Sequence, residues 1–525
     1  MQDIIIKNAI VVDGNNTAPY TGGVAVKDGM ITAVGDVEGL EAMDVIDAKG
    51  LVVCPGFIDP HSHSDDCFLD DNRCESKIYQ GVTTEICGMC GYSDYPAQPG
   101  LYDSKKVREA DGTEDEWIAE SISDFIAHAK ARNKTMSTNL VPFVGHGTIR
   151  SNVLAYDGRE PNTEELEQMK AILEKELAAG AWGMSLGLEY TPGCFARPAE
   201  LRALGSVVKK YDGLVTAHMR NEGRTLEDAM DEIFDIGRES GCRVHISHLK
   251  IDFHEKWGIA PQIWQKIEDA RAEGIRVGCD MYPYLASSTG ITNRCPKWAI
   301  EGGVHMAAAH LKGERRQEVL DELKRRFPDR NWAERCLITE TEGRCKEAEG
   351  ITLAALADKW NLEYYLAAAE LIIVTEGHTS CCFFVMSEDD VNYFLSKDIG
   401  ICSDGYCLPL DPKLNSTMRH PRSFGAQDRF LRLAREKKIC SLEKAVWRLT
   451  ALPADMIGIK DRGRLEIGKA ADITVFNPDT IEDKADWTNP YQKPVGVECV
   501  IVNGQVAMRD GKQTAVRNGR FLLHK

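Results

Sequence analysis

Six side chains that could bind a metal or move a proton stand at the ends of apolar, strand-like runs. They are His61 and His63 in LVVCPGFIDPHSH, Cys90 in TTEICGMCG, His218 in GLVTAHMRN, His248 in RVHISHLK and Asp404 in DIGICSDGY. Imidazole nitrogen and thiolate sulfur are zinc ligands. His61 and His63 are two residues apart, so in an extended strand they point the same way and offer one ion a two-nitrogen bite. A single histidine at a strand end is more often a hydrogen-bonded structural residue. Five ligand-type groups and a carboxylate at the ends of five runs favour a metal.

The stretch EICGMCGYS also contains Cys87-Gly-Met-Cys90, a spacing shared by redox pairs and half zinc sites. A redox pair sits at a helix start, and a zinc ribbon needs a second C-x-x-C, which the chain lacks. In a strand the odd separation sends the two thiols to opposite faces. Cys90 then enters the site as a thiolate while Cys87 packs outside.

Eight runs alternate with helical stretches: the five above and NLVPFVGHG, AWGMSLGLEY and IRVGCDMYPY. That βαβα order predicts an α/β fold, a distorted (β/α)8 barrel over residues 55–454, whose active site belongs at the C-terminal ends of the strands. Asn162 and Glu165 form a capping-box start for one of its helices, and Gly180 suits its end. At the termini, residues 1–54 and 455–525 read as short antiparallel strands with hairpin signals at Asp13-Gly14, Asp28-Gly29, Asn503-Gly504 and Asp510-Gly511. Neither end buries a face alone, so both are expected to build one small β-sandwich-like domain. After the seventh run the rhythm breaks, and LKGERRQEVLDELKRRF marks a helical insertion over about 290–350. The apolar run Thr379–Phe384 reads as core, with no role for Cys381 or Cys382.

With 63 Lys+Arg against 81 Asp+Glu, the net charge of -18 argues against nucleic acid or an anionic membrane as partner. No stretch approaches the roughly 18 apolar residues of a membrane span. MQDIIIKNAIVVDGNN lacks the pattern of a secretory signal, and the 17 irregularly spaced cysteines suit a reducing, cytoplasmic setting.

The segments GFIDPHSHSD, GVTTEICGMCG, VGHGTIR, GMSLGLEYTPGCFA, VTAHMRNEG, HISHLK, DMYPYLASST and SDG followed by HPR occur in order between about residues 50 and 425. Together with the flanking β segments they resemble the amidohydrolase superfamily, and within it the N-acyl-D-amino-acid deacylases, or D-aminoacylases. The resemblance implies a zinc enzyme that cleaves N-acyl-D-amino acids to a carboxylate and a free D-amino acid. It makes Cys90, His218 and His248 the tight zinc ligands, with His61 and His63 sharing Cys90 in a second, weaker site. The fourth run carries no lysine to bridge two metals, which weighs against a hydantoinase-like enzyme.

Three protein ligands leave zinc a position open for hydrolysis. Asp404 is then the proton carrier, taking a proton from the attacking water and returning it to the departing amine. His146 and Tyr190 are candidates to steady the carbonyl oxygen, or else structural hydrogen-bonding residues. Lys250, two residues past His248, together with Tyr282, Ser288 and Arg422, is implied by the resemblance to hold the substrate carboxylate. The segment from Tyr406 to Arg422 is longer than the family's compact version. GITNRCPKWA places Arg294 where many members are more apolar. Pointing inward, Arg294 would pair with an acidic substrate side chain; pointing outward, it is a solvated charge. Rival readings keep the barrel and change its use: another amide such as a D-amino-acid-containing dipeptide or a cyclic ureide, or a non-catalytic scaffold, which the retained ligand set opposes.

Overall fold

The computed structural model describes residues 1–97, 105–108, 114–132, 134–415 and 419–525. Three of the four hairpin signals become two-residue turns between adjacent strands. Asp28 and Gly29 (φ 51° and 78°) join Tyr20–Lys27 to Met30–Gly35. Asn503-Gly504 and Asp510-Gly511 connect Val497–Val502, Gln505–Arg509 and Lys512–Gln513 in the same way. Positive φ at both turn residues matches the twist of the flanking strands, which Asp-Gly and Asn-Gly permit at least cost. Asp13-Gly14 instead opens a longer loop, because the Asp13 carboxylate accepts hydrogen bonds from the Asn15 N–H and the Thr17 hydroxyl.

The strand Gln2–Val11 knits the two ends of the chain together. It pairs antiparallel with Tyr20–Lys27 on one edge and parallel with Ala42–Asp47 and Val52–Pro55 on the other. Val52–Pro55 then pairs antiparallel with Ile473–Phe476, which brings in the C-terminal strands. Both termini thus form one branched nine-stranded sheet over its own core of Ile4, Ile6, Val24, Val53, Ile473 and Ile501. The helix Ala451–Ile457 spans the expected boundary at 454 and packs on the barrel, where Ala454 and Ile457 meet Ile58 and Ile86.

Among the described residues eight strands form the barrel: β1 (Phe57–Asp59), β2 (Val82–Cys87), β3 (Asn139–Pro142, continued by Val144–Gly145), β4 (Gly183–Gly187), β5 (Leu214–His218), β6 (Arg243–Ile246), β7 (Val277–Met281) and β8 (Gly400–Ile401). Each pairs in parallel with the next. The ring closes beyond the strand ends, where Ser62 bridges Gly405, the Asp404 N–H donates to His61 O and the His63 N–H to Gly405 O.

A buried lysine reinforces that seam. Lys77 Nζ lies 2.7 Å from Asp59 Oδ2 on β1, 2.7 Å from Ser403 Oγ after β8 and 3.5 Å from Glu85 Oε2 on β2. Burial works against its charge, but Asp59 and Glu85 more than offset this and raise its pKa above the ordinary lysine value. The helix Thr163–Ala178 has the expected capping box, in which the Asn162 side chain accepts from the Glu165 N–H, and Gly180 follows with φ 110°.

The insertion after β7 is larger than the expected 290–350 and is not only helical. Its strands Ser287–Gly290, Ser380–Phe383 and Cys336–Glu340 form an antiparallel sheet in that order. With the helices His305–Lys312, Arg316–Arg326, Leu353–Trp360 and Tyr364–Val374, they enclose a separate core running from Ile291 to Val385. The apolar run containing Cys381 and Cys382 is the middle strand of this sheet, which is why its end lies beyond 350. Among the described residues no helix is long and apolar enough to cross a membrane.

Candidate metal centre

Three of the chemistry-bearing side chains sit just past strand ends in left-handed turns: Cys90 at φ 53°, His248 at φ 38° and Asp404 at φ 47°. This conformation is costly for a residue with a Cβ, and it recurs where a side chain must be aimed. Around Cys90 the glycines are obligatory. A Cβ on Gly88 would stand 2.2 Å from Phe143 O, and one on Gly91 would stand 2.5 Å from Gly187 N. Ser185 on β4 pins the loop, accepting from the Gly91 N–H and donating to Gly88 O. At His248 the Asp280 carboxylate of β7 accepts the backbone N–H (2.6 Å) and the Nε2–H of His245 (2.6 Å).

These turns converge on the Cys90 sulfur. Sγ lies 3.3 Å from His61 Nε2, 3.4 Å from His248 Nε2 and 3.7 Å from His218 Nδ1. Sulfur and nitrogen bound to one zinc at about 2.3 Å and about 2.0–2.1 Å, at the tetrahedral angle, stand about 3.5 Å apart. The spacing therefore fits a shared ion. The donors' chemistry fits as well. Burial, helped by neighbouring His63, depresses His61 to a pKa of about 4 and leaves the neutral imidazole a metal needs. Burial, with Asp404 adding to it, pushes the Cys90 thiol well above its usual range, a shift that a bound cation would oppose. Among the described residues three donor groups are close enough to surround an ion: Cys90, His218 and His248; His61, His63, Cys90 and Asp404; and Glu189, His218 and Glu222.

Asp404 bridges this centre and the substrate side. Its Oδ1 lies 3.0 Å from His63 Nε2 and 3.5 Å from His61 Nε2, and its Oδ2 is 2.6 Å from Arg422 Nη1. Burial alone would raise its pKa, but the Arg422 guanidinium and the adjacent imidazoles hold it well below the usual carboxylate range.

Above it opens a cavity of about 600 Å³. Lys250, Tyr282, Ser288, Arg294, Arg422 and Tyr190 all line it. Arg422 and Lys250 stack over the Tyr282 ring, 4.7 and 5.9 Å from its centroid. The Tyr282 hydroxyl and the Ser287 hydroxyl are buried without a hydrogen-bond partner among the described residues. Arg294 is turned inward over the Phe383 ring and touches Asp252 at 3.4 Å. Tyr190 lies against His218, 4.6 Å between ring centroids, with its hydroxyl 3.5 Å from Thr289 Oγ1.

One expectation is corrected. His146 begins the helix His146–Leu154, is fully enclosed, and binds Glu200 at 2.7 Å beside Arg150, outside the cavity lining. Its Nε2 is thus engaged by Glu200 and its ring is not part of the cavity wall. The reasons for two placements also differ from the expected ones. Cys90 and His248 follow strands that have already ended at Cys87 and Ile246, so turn geometry sets their direction. Lys250 likewise reaches His248 Nδ1 (2.9 Å) from a loop. In the segment from Tyr406 to Arg422, residues 416–418 lie outside the described residues.

Two acids went unnoticed in the sequence. Glu189 Oε2 accepts from His218 Nε2 at 3.1 Å, and Glu222 touches His248 Nδ1 at 3.0 Å and Lys250 Nζ at 2.6 Å. Both lie in quoted segments, GMSLGLEYTPGCFA and VTAHMRNEG, within a few residues of the ends of β4 and β5. Position past a barrel strand was the available signal.

Comparison with known proteins gives a consistent result. Residues 44–339 and 404–508 match the Amidohydrolase family. The chain is 32% identical to N-acyl-D-glutamate deacylase of Alcaligenes xylosoxydans xylosoxydans over 96% of its own length and 93% of that protein's. It is 31% identical to D-aminoacylase of the same organism, over 99% and 97%. A crystal structure of N-acyl-D-glutamate deacylase from Bordetella bronchiseptica, complexed with zinc and a phosphonate mimic of the reaction's tetrahedral intermediate, superimposes with a TM-score of 0.83 at 31% identity, covering all of both chains.

Proposed function

The chain belongs to the amidohydrolase family, in its N-acyl-D-amino-acid deacylase branch, and we propose that it is a zinc enzyme hydrolysing N-acyl-D-amino acids to a carboxylate and a free D-amino acid. The observation that carries this reading is the convergence of Cys90, His218 and His248 at zinc-ligand spacing beside Asp404, on the floor of a cavity into which Lys250, Arg294 and Arg422 bring positive charge among several carboxylates. Cys90, His218 and His248 hold the tight ion. His61 and His63, sharing Cys90, provide a weaker second position. Bound zinc supplies Lewis acidity, polarising the scissile carbonyl and acidifying water.

The chain's own groups do the rest. Asp404, kept ionised by Arg422, accepts the proton of the attacking water at Oδ1, which faces the histidines. Once protonated it is a strong acid, and it delivers that proton to the departing amine. Tyr190 donates its hydroxyl proton toward the carbonyl oxygen. Lys250, Tyr282, Ser288 and Arg422 receive the substrate carboxylate. The unpartnered Tyr282 hydroxyl supports this, since a buried hydroxyl without a partner is unfavourable until a ligand supplies one. Arg422 serves both carboxylates, which a guanidinium with five N–H donors can do. Arg294, turned into the cavity over the Phe383 ring with a long 3.4 Å ion pair to Asp252, gives the enzyme a preference for D-glutamate or D-aspartate derivatives.

The test is amino-acid release from a panel of N-acetyl-D- and N-acetyl-L-amino acids, acidic and neutral, by zinc-loaded protein. Hydrolysis of D substrates only, with acidic side chains ahead, is expected. Hydrolysis of L substrates would sink the stereochemical reading. Silence across the panel would move the substrate to a D-amino-acid-containing dipeptide or a cyclic ureide.

A further inference from the structure

Each imidazole of the tight donor group lies between the Cys90 sulfur and an acid. His248 turns Nε2 to the sulfur at 3.4 Å and Nδ1 to Glu222 Oε1 at 3.0 Å. His218 turns Nδ1 to the sulfur at 3.7 Å and Nε2 to Glu189 at 3.1 Å, with Glu222 Oε2 at 3.6 Å. A neutral imidazole has one N–H, and an ionised carboxylate can only accept. An acid on the far side therefore fixes the tautomer whose lone pair faces the metal position.

Glu222 is also built to stay in place. Its loop follows β5, with Asn221 Oδ1 accepting from the Gly223 and Thr225 N–H groups. The Glu222 carbonyl accepts the Asp252 N–H at 2.8 Å, and a Cβ on Gly223 would press to 2.9 Å from Asp252 O. The loops after β5 and β6 are thus locked together with the Glu222 carboxylate between them, 4% exposed. Lys250 presents the opposite demand. Its ammonium, a pure donor, lies 2.9 Å from the same His248 Nδ1, where it favours the tautomer with the lone pair facing away from the metal. Glu222 opposes it with both oxygens: Oε2 lies 2.6 Å from Lys250 Nζ, and Oε1, 3.0 Å from His248 Nδ1, has no hydrogen-bond partner among the described residues, so a proton on Nδ1 would supply one.

We propose that Glu222 is a positioning residue that orients His248 for the metal and, through Lys250, couples the metal centre to the substrate's carboxylate anchor. The Lys250 half rests on the deacylase reading; the His248 half does not. If Glu222 were only a counter-ion for Lys250, its removal would act on the metal through the freed ammonium alone, and removing Lys250 as well would restore zinc binding.

Zinc affinity, measured by competition with a chromophoric chelator in the absence of substrate, separates the two. Glu222→Gln is expected to weaken zinc binding about 10–100-fold, the usual effect of losing an acid behind a metal-bound histidine. Lys250→Met, which removes a cation near the ion, should bind zinc as tightly as the parent protein or more tightly, while raising KM. The double variant Glu222→Gln/Lys250→Met should remain weak for zinc. Zinc affinity within about 3-fold of the parent in Glu222→Gln, or its full recovery in the double variant, would overturn the proposal. Should the variants fail to fold, histidine-selective 15N NMR of the zinc-loaded parent protein decides instead. A proton on His248 Nδ1 is expected, and a proton on Nε2 would overturn the assignment. All zinc readings are made without substrate, so a failed substrate panel leaves this test standing.

Discussion

The cavity has two unlike walls. On the barrel side, charged and polar neighbours are in place before any ligand arrives: Asp280 accepts the His248 N–H, His63 Nε2 lies 3.0 Å from Asp404, and the Arg422 guanidinium stands 2.6 Å from Asp404, although Glu222 Oε1 and Arg422 Nη1 make no hydrogen bond among the described residues. On the other side, formed by the extension of β7 and the insertion, the buried hydroxyls of Tyr282 and Ser287 have no partner among the described residues, and Arg294, lying over Phe383, has its Asp252 ion pair at a long 3.4 Å. The first wall is organised in advance, as groups that move protons or hold an ion must be. The second is completed by what binds. Chemistry and selectivity are thereby divided between two cores, since the insertion packs around its own apolar cluster.

If that division is real, variants of the barrel wall should lower turnover and those of the insertion wall should alter preference. The largest effect is expected from Asp404→Asn, which should reduce kcat about 10²–10⁴-fold while leaving zinc content unchanged. Near-normal turnover would remove Asp404 from the mechanism and erase the distinction. Next, Arg294→Ala should lower kcat/KM for N-acyl-D-glutamate about 10–100-fold relative to a neutral D substrate, the value of a charge-assisted contact. Equal losses on both substrates would place Arg294 outside the selectivity wall.

A third expectation concerns how firmly the barrel wall is pinned. Burial raises the Asp280 carboxyl, but His245 and the His248 N–H outweigh it and bring its pKa to about 2, against 3.8 ordinarily. A depressed acid stabilises the fold above its unfolded pKa and loses that contribution as pH falls through the folded one. Denaturant titrations should therefore show about 2 kcal/mol of stability lost between about pH 4 and pH 2, absent in Asp280→Asn. A loss of the same size in the variant would assign the pH dependence to other groups. The smallest effect, and one of opposite sign, belongs to Tyr282→Phe. Deleting an unpartnered buried hydroxyl should leave the free protein as stable or up to about 1 kcal/mol more stable, while raising KM several-fold. A destabilised variant would mean that the hydroxyl already has a partner in the free protein.

The two walls were not equally legible. His61, His63, Cys90, His218, His248 and Asp404 stood out because their types are uncommon and each closes an apolar run, and the fold does bring them together. Strand alternation accounts for only part of their aim. A period of two placed Lys250 beside His248, whereas the actual cause is a left-handed turn held by Asp280, a strand away in space and 32 residues away in sequence. Glu189 and Glu222 escaped notice because glutamates abound in the chain and nothing local marks one that faces an imidazole. His146 was overvalued for the converse reason, because its partner Glu200 lies 54 residues on. The insertion was undersized because its middle strand reads as featureless core, and only its pairing with Ser287–Gly290 reveals where the excursion ends.

The left-handed turns at Cys90, His248 and Asp404 have a consequence for directed evolution. At such positions glycine or asparagine relieves backbone strain that cysteine, histidine and aspartate must bear. A library selected for thermal resistance alone should therefore drift toward glycine or asparagine at these three sites, and one selected for turnover should not. Sequencing both populations would identify the positions at which this chain gives up stability for catalysis.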